Sequence, residues 1–551
     1  MTAPAGTDFS RGARGHLISY AKRALSAGVL LPLLATAIIA APVVSTLWIG
    51  LIEGGGATWT HITQTFLFRY VIDTMIVLST VTVLSLSLAV PAAWLVTQYE
   101  FPGRSVFGWC LILPLAAPGY VLAFSYADLL GVSGPIQAFI RDMTGLSARD
   151  YWFPNIYSRI GCGFVLAASL YPYVFLTARA AFATQSSGLL NAARCLGASP
   201  TGCFWRVALP SARPAILAGL SLALMESAAD FGAADFLGVQ TLTVGVFRAW
   251  SSFADPAAGA RLSILLVFVT GWLLWAERHL RRRQGFASRD GGFATSTRTV
   301  LPPTQSALAS LFCLALFSIG FAIPVAHLVH LAIDARSSAP PILDLVRNTF
   351  LLAAVGTVAA LAICLPIALA AHRSRPLAQW MRLIASSGYA IPGAVLALGG
   401  MYALSNLPIS FSGSLALAIL VLIYVSRFSA AGISPVEAAL GRVPPSVSLA
   451  ARSLGAGPFR RLYAVELPVI TPGLAVAALI LFVEILKELP ATLMLRPFNW
   501  DTLAVKAYAY ASDERLEAAA LPSLMITLCG LLPVLLLSWR LSHSGNPRTT
   551  N

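Results

Sequence analysis

Four carboxylates lie in hydrophobic runs where charge is expensive. Glu226 and Asp230 fall in one run, Glu484 and Glu488 in another, and the two pairs are 258 residues apart. Within each pair the spacing is i, i+4, which on a continuous helix places both side chains on one face. Putting Asp into hydrocarbon costs at least ~2.5 kcal/mol on the insertion scale. Four carboxylates at repeat-related places are therefore read as the lining of a polar path or its outer gate. For Glu484 a local alternative stands beside this one, because Lys487 follows three residues later. Glu226 has no base within four residues, so lining is its reading.

Other chemistry finds no support in the residues. The three lysines, Lys22, Lys487 and Lys506, follow Ala21, Leu486 and Val505. A phosphate-binding P-loop needs Gly-Lys-Ser/Thr, so the chain does not hydrolyse ATP by that route. It has no H-E-x-x-H and no G-x-S-x-G. His327 and His330 lack a third ligand nearby and are read as interfacial residues, not a metal site. The seven cysteines form no C-x-x-C pair and read as small buried hydrophobes. No cofactor is expected.

The informative polar features are two copied loops. Asn191-Ala192-Ala193-Arg-Cys-Leu-Gly197-Ala-Ser-Pro200 runs on to Leu209-Pro210, and Leu449-Ala450-Ala451-Arg-Ser-Leu-Gly455-Ala-Gly-Pro458 runs on to Leu467-Pro468. Each reads as a short helix stopped by Gly, then a second helical stretch that breaks at Leu-Pro. An amphipathic interfacial helix explains one such loop. A partner that docks twice explains why there are two.

These loops must be carried by a membrane scaffold. Of 551 residues, 57% are hydrophobic and 11% charged, less than half the roughly 25% charge of soluble domains. The formal net charge of +14 is spread along the flanks of apolar runs, where it sets topology and does not form a nucleic-acid surface. Spans of about 20 apolar residues are expected near 25–52, 69–97, 104–130, 155–181, 211–231 and 261–278. A second set is expected near 307–333, 347–371, 381–404, 411–434, 469–486 and 520–540. The basic first segment before 25–52 resembles a signal sequence, but the apolar run is too long to be one. Basic residues fall on one side if the N-terminus is cytoplasmic, which places both loops and both termini there.

The chain is thus expected to be an all-α polytopic membrane protein with about 12 transmembrane helices. Two parallel six-helix repeats would be related by a pseudo-twofold axis along the membrane normal. Residues 1–285 form the first repeat with its loop at 186–210, residues 286–304 a cytoplasmic linker, and residues 305–551 the second repeat with its loop at 440–468. Ala117-Pro118-Gly119 and Ile391-Pro392-Gly393 extend the repeat beyond the loops, at an offset of 274 residues.

With these residues in place, the chain resembles the permeases of binding-protein-dependent ABC importers. Ala-Ala-x-x-x-Gly followed by Leu-Pro is similar to their cytoplasmic coupling loop, and two copies resemble the fused, two-in-one members. Met225-Glu226-Ser-Ala-Ala-Asp230-Phe-Gly232 and Lys487-Glu488-Leu-Pro490-Ala-Thr-Leu-Met resemble the ferric-iron group. The resemblance implies a bacterial inner-membrane protein that is a transport subunit and not an enzyme. It further implies two copies of a separate ATPase gripping Ala192, Ala193, Gly197, Leu209, Pro210 and Ala450, Ala451, Gly455, Leu467, Pro468. A periplasmic binding protein would deliver substrate, most simply ferric iron, to the path at Glu226, Asp230, Glu484 and Glu488. Fused thiamine and phosphonate permeases are built alike, and an ion-coupled secondary transporter is the alternative of another class. One departure stands out: Asn191 and Leu449 occupy the place of the family loop's Glu.

Overall fold

The computed structural model describes residues 27–52, 56–185, 192–282, 298–334, 342–372, 376–405, 413–441 and 445–543. Nearly all of them are helical, because in a lipid solvent backbone N–H and C=O groups must satisfy one another. The first half runs through α1 (Ala27–Ile52), α2 (Ala57–Gln98), α3 (Arg104–Cys110), α4 (Gly119–Leu130) and α5 (Pro135–Thr144). It continues with α6 (Arg159–Thr184), α7 (Leu209–Ala229), α8 (Gly232–Phe236), α9 (Leu242–Ser251) and α10 (Pro256–Arg282). The second half begins with α11 (Pro303–Asp334), α12 (Ile342–His372), α13 (Pro376–Ser387), α14 (Gly393–Ser405) and α15 (Gly413–Leu440). It ends with α16 (Pro445–Ser453), α17 (Leu467–Leu486), α18 (Pro490–Leu495), α19 (Leu503–Ser512) and α20 (Leu516–His543).

Among the described residues ten helices are long and apolar enough to cross a membrane, or eleven if one bent pair counts as a span. About twelve are expected from the apolar runs, and proline accounts for the difference. Proline has no N–H to donate, and its ring meets the carbonyl four residues back. At Pro118 the expected 104–130 span bends by 95° between Arg104–Ala116 and Gly119–Thr144. At Pro392 the expected 381–404 span divides into α13 and α14. The same break therefore occurs in both halves.

The helices form two compact units that exchange pieces of the two halves. One unit takes in the described residues up to Ser45, Leu351–Tyr389 and Gly400–Ile485. The other takes in Thr46–Phe350, Ala390–Gly399 and the described residues from Leu486 onward. Most of α1 thus packs with second-half helices, and α11 packs with the first half. Within the larger unit α7 lies so close to α6 that a Cβ on Gly219 would sit 2.6 Å from the Tyr173 carbonyl. Small residues at crossings let membrane helices gain contact where no hydrophobic force drives them together.

Residues 286–297 of the expected linker lie outside the described residues. Its end is seated: Thr299–Val300 pairs in parallel with Tyr99–Glu100. Glu100 accepts from Arg104 at 3.0 Å and from Arg298 at 3.2 Å. Of the cysteines, Cys110, Cys162, Cys203, Cys313 and Cys364 are buried and Cys529 is partly so, but Cys195 is exposed in the first copied loop.

Candidate functional site

The copied loops adopt the same backbone. Residues 192–195 are helical, and Gly197 stops the turn at φ +83°; Gly455 does the same at φ +78°. That left-handed conformation disfavours any residue with a Cβ. In the first copy the N–H groups of Gly197 and Ala198 bond the carbonyls of Arg194 and Ala193. In the second, Ala456 bonds Ala451 at 3.0 Å. These are the bonds of a Schellman stop, which satisfies carbonyls at a helix end. Short helices Pro200–Cys203 and Pro458–Arg461 follow, the first capped by the Ser199 hydroxyl.

A π-turn comes next in each copy, Phe204–Ala208 and Leu462–Glu466, just before Leu209-Pro210 and Leu467-Pro468. A wider turn accommodates a proline that can neither donate to nor fit under the carbonyl four residues back. The exposure of the loops repeats as well. Ala192 and Ala450 are exposed, Ala193 and Ala451 half-buried. Leu196 is 88% exposed and Leu454 86%, two leucines held out from the protein at matching positions. One copy sits in each packing unit. Asn191 lies outside the described residues, as do residues 186–190 of the expected loop.

The carboxylate pairs do not share a helix face. α7 ends at Ala229, and Asp230 is extended, with ψ 126°. Its Oδ1 accepts from the N–H groups of Ala233 at 2.9 Å and Ala234 at 3.4 Å. α17 likewise ends at Leu486, before Glu488. Glu488 accepts from Ala491 and Thr492 N–H groups at 3.0 Å each and from the Thr492 hydroxyl at 2.7 Å. Asp230 and Glu488 therefore cap the short helices α8 and α18 after equivalent breaks. Pro490 explains the second break, since its ring would meet the Leu486 carbonyl in a continuous helix. Gly232 holds the corresponding place in the first, where a Cβ would lie 2.7 Å from both Leu489 Cδ2 and Tyr120 Cβ. Glu226 and Glu484 remain on the last turns of α7 and α17, both half-buried.

The ends of the helices remote from the copied loops hold polar groups that sequence reading missed. Asp73, 2% exposed, meets Arg159 Nε at 2.7 Å and the Gln240 N–H at 3.2 Å. The Thr74 hydroxyl accepts from Leu242 N–H at 2.9 Å, and Thr349 accepts from Leu503 N–H at 2.8 Å. These bonds fix the starts of α9 and α19. The signal was present as Asp73-Thr74 and Asn348-Thr349, each heading a long apolar run.

A further contact has no counterpart among the described residues. The Tyr508 hydroxyl on α19 donates to Asp235 on α8, whose other oxygen lies 3.6 Å from Arg248 on α9. Burial, with the adjacent Asp235 charge adding to it, pushes the Tyr508 phenol well above its ordinary range, so it keeps its proton. His327 meets Asp128 of α4 at 2.6 Å with 11% of its side chain exposed. His330 is largely exposed and pairs with Asp334 at 2.7 Å.

The model of the binding-protein-dependent transport system inner membrane component family matches residues 88–284 and again residues 362–542. The chain belongs to this family. The two matched stretches contain both copied loops and both helix breaks, so the repeat is a duplication of the family's domain. Over 477 residues the permease is 26% identical to the Fe(3+)-transport system permease protein FbpB 2 of Haemophilus influenzae, covering 84% of this chain and 88% of that one. It is 32% identical over 211 residues to the molybdenum transport system permease protein ModB of the same organism, covering 36% of this chain and 89% of that protein. It is 28% identical over 199 residues to the sulfate transport system permease protein CysT of Salmonella typhimurium, covering 35% and 69%. The permease is an ABC-type transport component that works with a substrate-binding protein and an ATPase.

Proposed function

We propose that the permease carries ferric iron from a periplasmic binding protein to the cytoplasm, driven by two copies of an ATPase docked on its copied loops. The observation that carries this reading is the matched pair of loop structures, each holding one bare leucine outward at the same place. Apolar side chains held in water favour a partner that covers them. The docking sites comprise Ala192, Ala193, Gly197, Leu209 and Pro210, and Ala450, Ala451, Gly455, Leu467 and Pro468, with Leu196 and Leu454 as their knobs. The loops and both termini face the cytoplasm, as the basic flanks require. The first repeat extends to residue 285 and the second begins near residue 305.

Iron is favoured because a relative aligned across both halves is named for Fe(3+), and hard cations take oxygen ligands. Glu226 and Glu484 offer carboxylates on repeat-related turns, while Asp230 and Glu488 hold the breaks between path segments. The shorter relatives named for molybdenum and sulfate favour an oxyanion as the second reading.

The test is uptake of radioactive ferric iron by cells expressing the permease together with an ABC ATPase and a ferric-iron-binding protein. Gly455→Asp and Leu454→Asp abolish ATP-dependent uptake while membrane insertion stays normal. Normal uptake by both variants refutes docking at the loops. Uptake of molybdate or sulfate in place of iron refutes the substrate.

A further inference from the structure

The contact among Asp235, Arg248 and Tyr508 joins the two repeats at the ends of the helices remote from the copied loops. Asp235 and Arg248 belong to the first repeat, Tyr508 to the second, 273 residues from Asp235. Among the described residues the contact is made once. The residue 258 positions after Asp235 is Leu493, so the second copy cannot form its mirror image.

Beneath it the two helix breaks face each other. Phe231 packs against Tyr508 with ring centroids 5.6 Å apart and planes tilted by 46°. Gly232 is pressed between Leu489 and Tyr120. Phe231, Leu489 and Tyr120 are 1%, 2% and 4% exposed, an apolar plug packed between segments of different repeats. The polar group above the plug is wetter: the Asp235 and Arg248 side chains are 23% and 35% exposed. A contact of that kind exchanges readily for water. The segments it ties follow interrupted helices, whose ends can turn without breaking a continuous ladder of hydrogen bonds.

We propose that Asp235, Tyr508 and Arg248 are the latch of a gate, closed in this structure, whose opening parts Phe231, Leu489 and Tyr120. The inference rests on the reading of the chain as a transport path and adds the residues that close it. Tyr508 and Asp235 are positioning residues for the gate and need not touch the substrate.

The test is thiol labelling of the full chain in nanodiscs with a charged maleimide, so that neither ATPase nor substrate is needed. The native cysteines, free in this structure, are first replaced, and Leu489→Cys becomes the reporter in the plug. With the latch intact, labelling is slow. Tyr508→Phe keeps the ring and removes only the hydroxyl; it speeds labelling about tenfold, as loss of one charge-assisted hydrogen bond implies. Asp235→Asn acts in the same direction.

Leu262→Cys is the control, because Leu262 is fully buried (0% exposed) on α10 and belongs to neither helix break. Faster labelling at 489 alone supports the gate. Unchanged labelling at 489 overturns it. Equal acceleration at both positions in both latch variants also overturns it, since the contact is then a clamp on the whole fold. A permease that fails to carry iron but keeps latch-dependent labelling loses the substrate assignment and retains the gate.

Discussion

Replacing Glu488 separates a cap from a path-lining residue. Its carboxylate is 5% exposed and accepts three hydrogen bonds, two from backbone N–H groups at the start of α18 and one from the Thr492 hydroxyl. Glu488→Ala removes all three acceptors at once. A hydrogen bond to a charged group contributes about 1.5–3 kcal/mol, and an unsatisfied buried donor costs about 1–3 kcal/mol. Bonds sharing one carboxylate are not additive, and cap replacements by Ala cost about 0.5–2 kcal/mol. The expected loss is therefore about 3 kcal/mol, at the upper end because the site is buried. With an unfolding entropy of about 2.1 cal/mol/K per residue, that lowers the melting midpoint of a 551-residue chain by about 3 °C. Glu488→Gln keeps one carbonyl oxygen and loses about 1 °C.

The assay is thermal melting of the purified permease in one detergent at one scan rate, followed by a thiol-reactive dye reporting the buried cysteines. Glu226→Gln is the reference, because no backbone donor among the described residues depends on that side chain. It melts with the wild type. If Glu488→Ala also melts with the wild type, or Glu488→Gln falls as far as Glu488→Ala, the capping argument is wrong. Glu488 would then belong with Glu226 as a residue whose charge serves the path.

Two other perturbations follow from the same geometry. Gly232→Ala drives a Cβ to 2.7 Å from Leu489 and Tyr120, an overpacking worth about 1–3 kcal/mol. Adding Leu489→Ala recovers part of the lost melting temperature, and no recovery counts against that contact. Arg159→Met leaves the buried Asp73 carboxylate with the Gln240 N–H and, as its ion-pair partner among the described residues, Arg69 4.0 Å away, a loss of about 3–5 kcal/mol when a buried pair is broken. Asp73→Asn in that background restores folded yield in size-exclusion chromatography, because Asn348 serves at the equivalent place; a double variant as poor as Arg159→Met refutes the ion-pair account.

The residues divide into those whose structure is set locally and those set by distant neighbours. Spans and copied loops were legible because each has a cause within a few residues, and Pro490 marked the second break just as locally although Glu488 was placed on the face of Glu484. Apolar runs demand helix in lipid, Gly197 and Gly455 favour a left-handed stop, and proline cannot continue a ladder. The carboxylate faces were misread for the complementary reason. An i, i+4 spacing is a face only on an unbroken helix, and in the first copy the break is marked by Gly232, which tells nothing until Leu489 and Tyr120 press against it.

The sequence by itself determined that this is a duplicated, helical, membrane-crossing chain with two equivalent loops, since periodicity, composition and offset are properties of the chain. Only the tertiary structure decided that α1 and α11 pack with the opposite halves, that Asp230 and Glu488 cap helices, and that Tyr508 reaches Asp235. The physical reason is that close approaches and cross-repeat hydrogen bonds depend on atoms brought together from hundreds of residues apart, while the caps span only three or four residues but form only where the surrounding packing lets the helix break.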